Sequence, residues 1–146
     1  MKLYNFKIKP VPKPRMTRSD AWKKRPCVMR YWEYKDELNK IAKEIDYQLK
    51  DTLNIIYMIP FPESYPKNKR EELFFRPHQL KPDIDNLTKA FLDCLTKDDS
   101  NVWSINETKI WSYDATILVS EIEKGEEAAC YNTSLQRFLF DYKGAC

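Results

Sequence analysis

The chain has 146 residues, 42% of them hydrophobic and 32% charged, with a net charge of +3. That composition fits one soluble globular domain long enough to bury a core, and it excludes a disordered chain. No apolar run approaches the roughly 18 residues a membrane helix needs, and the start, MKLYNFKIKPVPKPR, lacks the apolar stretch of a signal peptide, so a cytoplasmic location is expected.

Tyr4, Phe6 and Ile8 alternate with Asn5, Lys7 and Lys9, which predicts a half-buried strand. The next stretch, PVPKPRMTRSDAWKKRP, holds four prolines. They exclude a helix and suit an exposed basic arm or loop. From about Tyr31 to Lys50 the apolar residues Trp32, Leu38, Ile41, Ala42, Ile45 and Leu49 recur at helical spacing and predict an amphipathic helix. Leu53 to Ile59, ended by Pro60, reads as a largely buried strand. PFPESYPKNKREELFFRPHQLKP then reads as a long loop, and loops of that length are usually functional or disordered.

A helix begins within KPDIDNLTKAFLDCLTK, Lys81 to Lys97, with Leu87, Ala90, Phe91, Cys94 and Leu95 as its buried stripe. DDSNVWSINE reads as a loop, and TKIWSYDATILVSEI as one long strand or a hairpin without a glycine turn. GEEAACYNTS is irregular, and LQRFLFDY is a final short helix or strand. The order β-α-β-loop-α-β implies a single α+β (mixed α/β) domain with a small mixed sheet, its core in residues 1–124 and a tail in 125–146.

Charge is unevenly placed. Residues 1–35 hold eleven Lys or Arg against two acids, a segment charge of +9 that leaves −6 on the remainder. Such asymmetry suggests a polyanionic partner for the N-terminal part, although a solvated basic surface gives the same count. The interleaved Trp22, Tyr31 and Trp32 favour nucleic acid, because bases stack on such rings. Lys67, Lys69, Arg70, Arg76 and His78 make a second basic cluster. The cysteines, Cys27, Cys94, Cys130 and Cys146, contain no C-x-x-C pair, so free thiols are expected rather than a structural zinc. The two glycines, Gly125 and Gly144, cannot build a glycine-rich phosphate loop.

Asp83 and Asp85 raise the chemical question. In an extended segment residues i and i+2 point to one side, so both carboxylates face one way. One reading makes Asp85 or Asn86 a helix cap; the other makes the two acids oxygen ligands for Mg²⁺ at a rigid helix start. Lys89, four residues after Asp85, either joins a surface ladder Asp85-Lys89-Asp93 or reaches a phosphate. A metal-dependent phosphodiesterase needs a further acid. Asp98, Asp99, Glu107 and Asp114 are candidates that spacing alone does not separate.

These residues resemble the RusA family of Holliday-junction resolvases, common in bacteriophages and prophages. The resemblance runs over roughly residues 4 to 120, from KIKPVPKPRMTR to its most specific element, KPDIDNLTKAFLDCL. It implies a RusA-like fold and a Mg²⁺-dependent crossover junction endodeoxyribonuclease, with Mn²⁺ as a substitute. Such an enzyme cuts four-way DNA junctions in recombination and repair as a homodimer, in a bacterial or phage-infected cell, without a small-molecule cofactor. The family's two aspartates fall on Asp83 and Asp85 and its lysine on Lys89. The family's third acid falls best on Glu107 in VWSINETKIWS, with Asp99 second; paired aspartates are usual where Asn106 and Glu107 stand, and the lysine often found in the following strand has no counterpart in SYDATILVS. On this reading Lys13, Arg15, Arg18, Lys23, Lys24 and Arg25, with Lys67, Lys69, Arg70 and Arg76, grip DNA phosphates. The alternative is a catalytically impaired junction- or single-strand-DNA-binding module.

Overall fold

The apolar run after Asp51 forms the middle of the molecule. In the computed structural model, which describes residues 2–121, four strands form one mixed sheet: β1 (Lys2–Phe6), β2 (Thr52–Pro60), β3 (Ser104–Ser112) and β4 (Thr116–Glu121). Their spatial order is β1-β4-β2-β3. β2 runs parallel to β3 and antiparallel to β4, which is antiparallel to β1. The readings of GEEAACYNTS, LQRFLFDY, the 125–146 tail, Cys130 and Cys146 lie outside the described residues.

With neighbours on both sides and both faces covered, β2 keeps seven consecutive residues buried. Its side chains alternate by the period of two. Leu53, Ile55, Tyr57 and Ile59 enter the main core with Phe6, Leu38, Phe91 and Ile117, whereas Ile56 and Met58 join Ile110 and Leu118 on the other face, where Phe75 packs. Helices α1 (Pro26–Glu44) and α3 (Ile84–Leu95) cover the main-core face. The fold is a single mixed α+β domain, as the element order implied.

Boundaries differ from the sequence reading in instructive ways. α1 starts at Pro26 rather than near Tyr31, because proline's missing N–H costs nothing in the first helical turn. Its buried stripe is Val28, Tyr31, Tyr34, Leu38, Ile41 and Ala42; Trp32 is exposed, with the Lys35 ammonium 5.4 Å from its ring. α1 stops at Glu44 rather than Lys50. Asp46 takes a positive φ of 54°, Tyr47 N–H donates to Ala42 C=O at 2.8 Å, and Asp46 N–H donates to Lys43 C=O at 3.3 Å. This is a Schellman stop built without the usual glycine.

The long loop contains a short helix, α2 (Lys67–Leu73). The segment after it follows β3, with His78 N–H donating to Lys109 C=O and Trp111 N–H to Arg76 C=O, each at 3.0 Å. The stretch read as one strand or a hairpin is neither: β3 and β4 flank β2 on opposite sides. Residues 113–115 pass over the end of β2, where Pro60 closes the strand. Among the described residues no helix is long and apolar enough to cross a membrane.

Candidate active site

The start of α3 carries the doubled acid. Asp83 occupies the cap position with extended φ and ψ, and Asp85 lies in the first helical turn. The helix therefore begins earlier than a cap at Asp85 or Asn86 requires, and the two acids do not share one extended segment. Asp83 makes no side-chain capping hydrogen bond. Its carboxylate instead receives Lys81 Nζ at 2.7 and 2.8 Å. Asn86 turns away, its Nδ2 donating to Lys13 C=O at 3.1 Å.

Asp83 and Asp85 nevertheless line one cleft of about 700 Å³ with Glu107 and Lys109 of β3, His78 and Lys81. The parallel register explains how β3 contributes. Glu107 pairs with Ile55 and Lys109 with Tyr57, both on the helix-covered face of β2. Thr88, in the next turn of α3, donates its hydroxyl to Glu107 Oε2. Tyr57 Oη lies 2.8 Å from Thr88 Oγ1. Lys109 Nζ donates to Leu80 C=O and Pro82 C=O, both at 2.5 Å, and so ties β3 to the segment that leads into Asp83. Burial pushes the Lys109 ammonium below its usual pKa, against the opposing effect of Asp83. Burial, then the charge of Lys109, also lowers His78, whose ring lies 4.1 Å from that of Trp111.

The other named acids lie elsewhere. Asp98 lines a second cleft, of about 620 Å³, beyond the C-terminal end of α3, together with Asp46 and Asp51. Asp99 sits in the turn after Asp98, its C=O accepting Val102 N–H at 3.0 Å, and lines neither cleft. Asp114 follows β3 in the crossing segment. Lys89 is exposed on α3 and does not line the acid cleft. The ladder Asp85-Lys89-Asp93 does not form, since Asp93 pairs with Lys13.

The basic residues divide into two groups. Lys13 is held by Asp93, and Arg25 donates to both Asp20 oxygens at 2.7 Å and to Arg15 C=O at 2.9 Å. Arg70 donates to Tyr65, Pro62 and Glu63 carbonyls, and Arg76 to Glu72 C=O. These groups brace the arm and the loop. Arg25 also holds the Asp20 carboxyl well below its ordinary pKa. Arg18 belongs to a short 3-10 turn, Arg18–Ala21, inside the segment read as an irregular arm. Arg15, Arg18, Lys23 and Lys24 are exposed. Lys69 sits 3.8 Å from the Tyr65 ring centre, and Lys67 makes a long 3.8 Å contact with Glu71.

Lys109, Thr88 and Tyr57 do not stand out in the sequence. The Glu107-Thr108-Lys109 spacing was the available signal, because i and i+2 on a strand face one way. Thr88 carried a fainter one, a hydroxyl inside an otherwise apolar helical stripe.

Three carboxylates at a helix N-terminus offer the hard oxygen donors that suit a hydrated Mg²⁺. Among the described residues no three metal-ligating side chains are gathered tightly enough to hold an ion alone. Mg²⁺ fits nonetheless, since it binds through one or two carboxylates and completes its shell with water and substrate phosphate rather than in an all-protein cage. Such a cleft has the chemistry of a site acting on phosphate esters. Residues 6–122 match the family described as Endodeoxyribonuclease RusA, and the chain belongs to that family of Holliday-junction-resolving endonucleases. A search of curated proteins finds no match.

Proposed function

We propose that this protein is a Mg²⁺-dependent endonuclease that resolves four-way DNA junctions by phosphodiester hydrolysis. The observation that carries the reading is the shared cleft of Asp83, Asp85 and Glu107, on a chain of the resolvase family. Asp83, Asp85 and Glu107 would hold the ion; Asp99, the other acid offered by the sequence, lies beyond the opposite end of α3, outside their cleft. When bound, Mg²⁺ supplies activation of water and stabilisation of the leaving 3′-oxygen. The protein's own groups position the substrate. Lys89, exposed one turn beyond Asp85, balances charge on the scissile phosphate. Arg15, Arg18, Lys23, Lys24, Lys67 and Lys69 supply phosphate contacts that orient the duplex arms without reading sequence. Arg25, Arg70 and Arg76 support the same surface by fixing the backbone beneath it, and Lys13 by its ion pair with Asp93 of α3.

A four-way junction has approximate two-fold symmetry, so a C2 homodimer presenting two clefts suits paired cuts. The test is incubation of the purified protein with a synthetic four-way junction in Mg²⁺, Mn²⁺ or EDTA. Symmetric nicks appearing with metal alone are expected; an intact junction under both metals sinks the reading. The looser gathering of the three acids favours a second reading, a junction- or single-strand-binding module without catalysis. That reading predicts a bound but uncut junction in the same assay.

A further inference from the structure

Thr88 lies 4% exposed on α3 among Leu87, Ala90, Phe91, Leu92 and Cys94. A hydroxyl in such a place is costly unless it is hydrogen-bonded. Threonine in a helix commonly turns its hydroxyl back to the carbonyl four residues earlier. This one reaches across to the sheet and meets two groups there, Glu107 Oε2 and Tyr57 Oη.

The direction of both bonds follows from counting hydrogens. A carboxylate accepts and does not donate, so the single hydrogen of Thr88 goes to Glu107. The Tyr57–Thr88 contact then requires Tyr57 to donate. The chain of donation runs Tyr57 Oη–H to Thr88 Oγ1–H to Glu107 Oε2. Tyr57 is fully buried in the middle of β2, and its phenol is pushed well above its ordinary pKa by that burial, so it remains a donor.

We propose that Thr88, backed by Tyr57, is a positioning residue that fixes the orientation of Glu107 and thereby presets the third carboxylate for the metal ion. Glutamate needs such a device. It carries one more rotatable bond than aspartate, and holding it in a single orientation costs side-chain entropy. The relay engages Oε2 and leaves Oε1 outside it, in a side chain that lines the cleft of Asp83 and Asp85. Outer contacts of this kind orient ligands and tune metal affinity. The inference rests on the metal-site reading above.

The test is Mn²⁺ binding to the purified full-length protein, followed by electron paramagnetic resonance, beside junction cleavage as a function of Mg²⁺. Thr88→Val keeps the volume and removes the donor; it is expected to weaken Mn²⁺ binding by about 10–100-fold and to raise the Mg²⁺ needed for half-maximal cutting in step. Thr88→Ser is expected to restore both, and Tyr57→Phe to fall between. In a Glu107→Gln background Thr88→Val is expected to cost nothing further, because the two act through one group. Wild-type Mn²⁺ affinity in Thr88→Val, while Glu107→Gln loses it, overturns the relay and leaves the metal-site reading standing. An undiminished Thr88→Val effect in the Glu107→Gln background also overturns the relay. Wild-type protein that neither binds Mn²⁺ nor cuts overturns both proposals. Should Thr88→Val fail to fold, Tyr57→Phe decides: reduced affinity supports the relay, and wild-type affinity overturns it.

Discussion

The two ends of α3 each open onto a cleft lined by three acids, yet they are built for different things. Beyond the C-terminal end, the carboxylates of Asp51 and Asp98 are taken up by neighbouring donors. Asp98 Oδ1 accepts Ser100 N–H at 3.0 Å, and Asp51 Oδ2 accepts the Trp103 indole at 3.3 Å. At the N-terminal end, the helix macrodipole favours negative charge, and Asp83 is left out of any cap. Glu107 is held by a neutral hydroxyl, and lysines rather than backbone amides neighbour the acids. Counting carboxylates does not distinguish a turn from a cation site. What distinguishes them is the kind of donor the carboxylates meet: a backbone amide and an indole N–H at the C-terminal end, a lysine ammonium and a threonine hydroxyl at the N-terminal end.

The sharpest way to break this comparison is to neutralise acids at both ends. Asp83→Asn or Asp85→Asn is expected to reduce Mg²⁺-dependent junction cleavage by more than ~100-fold, beyond the cost of outer-contact changes. Asp51→Asn and Asp98→Asn should cut at close to the wild-type rate. Equal losses at both ends in a gel assay would erase the distinction. Next, Lys89→Ala is expected to slow cleavage on the order of 10²-fold; wild-type rates would return Lys89 to the solvated surface.

The basic residues allow a gentler version of the same contrast. Neutralising Arg15, Arg18, Lys23 or Lys24 should weaken junction binding and reduce the slope of log K against log salt by about 0.9 per lost phosphate contact. Arg25→Gln and Arg70→Gln should show their main effect as a lowered melting temperature, since those heads hold the backbone.

His78 gives a pH signature to the acid cleft. Its folded pKa is depressed, by burial first and Lys109 second. The folded protein thus binds fewer protons than the unfolded chain once pH drops toward and below about 6.5, so stability present above that pH is lost as pH falls through the folded value. Denaturant midpoints measured from pH 7.5 to 5 should fall less steeply in His78→Asn than in wild type. The smallest effect belongs to the other cleft. Asp46→Gly should stabilise the protein by roughly 0.5–1 kcal/mol, because glycine accepts the left-handed conformation that Asp46 adopts at φ 54°. Chemical denaturation measures this, and a loss of stability would mean that the Asp46 side chain supports the turn.

What could be read from the sequence was local. Tyr4 and Phe6, the Leu53–Ile59 run and the stripe from Leu87 to Cys94 each carry their period in a few consecutive residues, and all three emerge as elements. The end of α1 was hidden because its stop signal is an aspartate, in a chain whose two glycines both lie after residue 121. α2 was hidden among prolines, and the β3–β4 relation was hidden because pairing across β2 leaves no mark in the residues between the strands. The site divides the same way. Asp83 and Asp85 announce themselves by spacing. Spacing alone leaves Glu107 one of several acids, the family resemblance favours it, and the register sets it opposite Ile55; Thr88 acquires meaning only when α3 lies against β2 and β3.

The parallel pairing of β2 with β3 has a consequence for when the acid cleft can form. Ile55 and Glu107 are neighbours in the sheet but stand 52 positions apart in the chain. Between them lies the connection that carries α2, Asp83 and Asp85. Contacts of such range form late and slowly, because the intervening chain must be closed before they contribute any stability. A nascent chain that has emerged only through α3 holds its two aspartates with no strand to complete them. The acid cleft comes into being only once β3 has paired with β2, so a chain lacking that pairing holds Asp83 and Asp85 without Glu107 beside them.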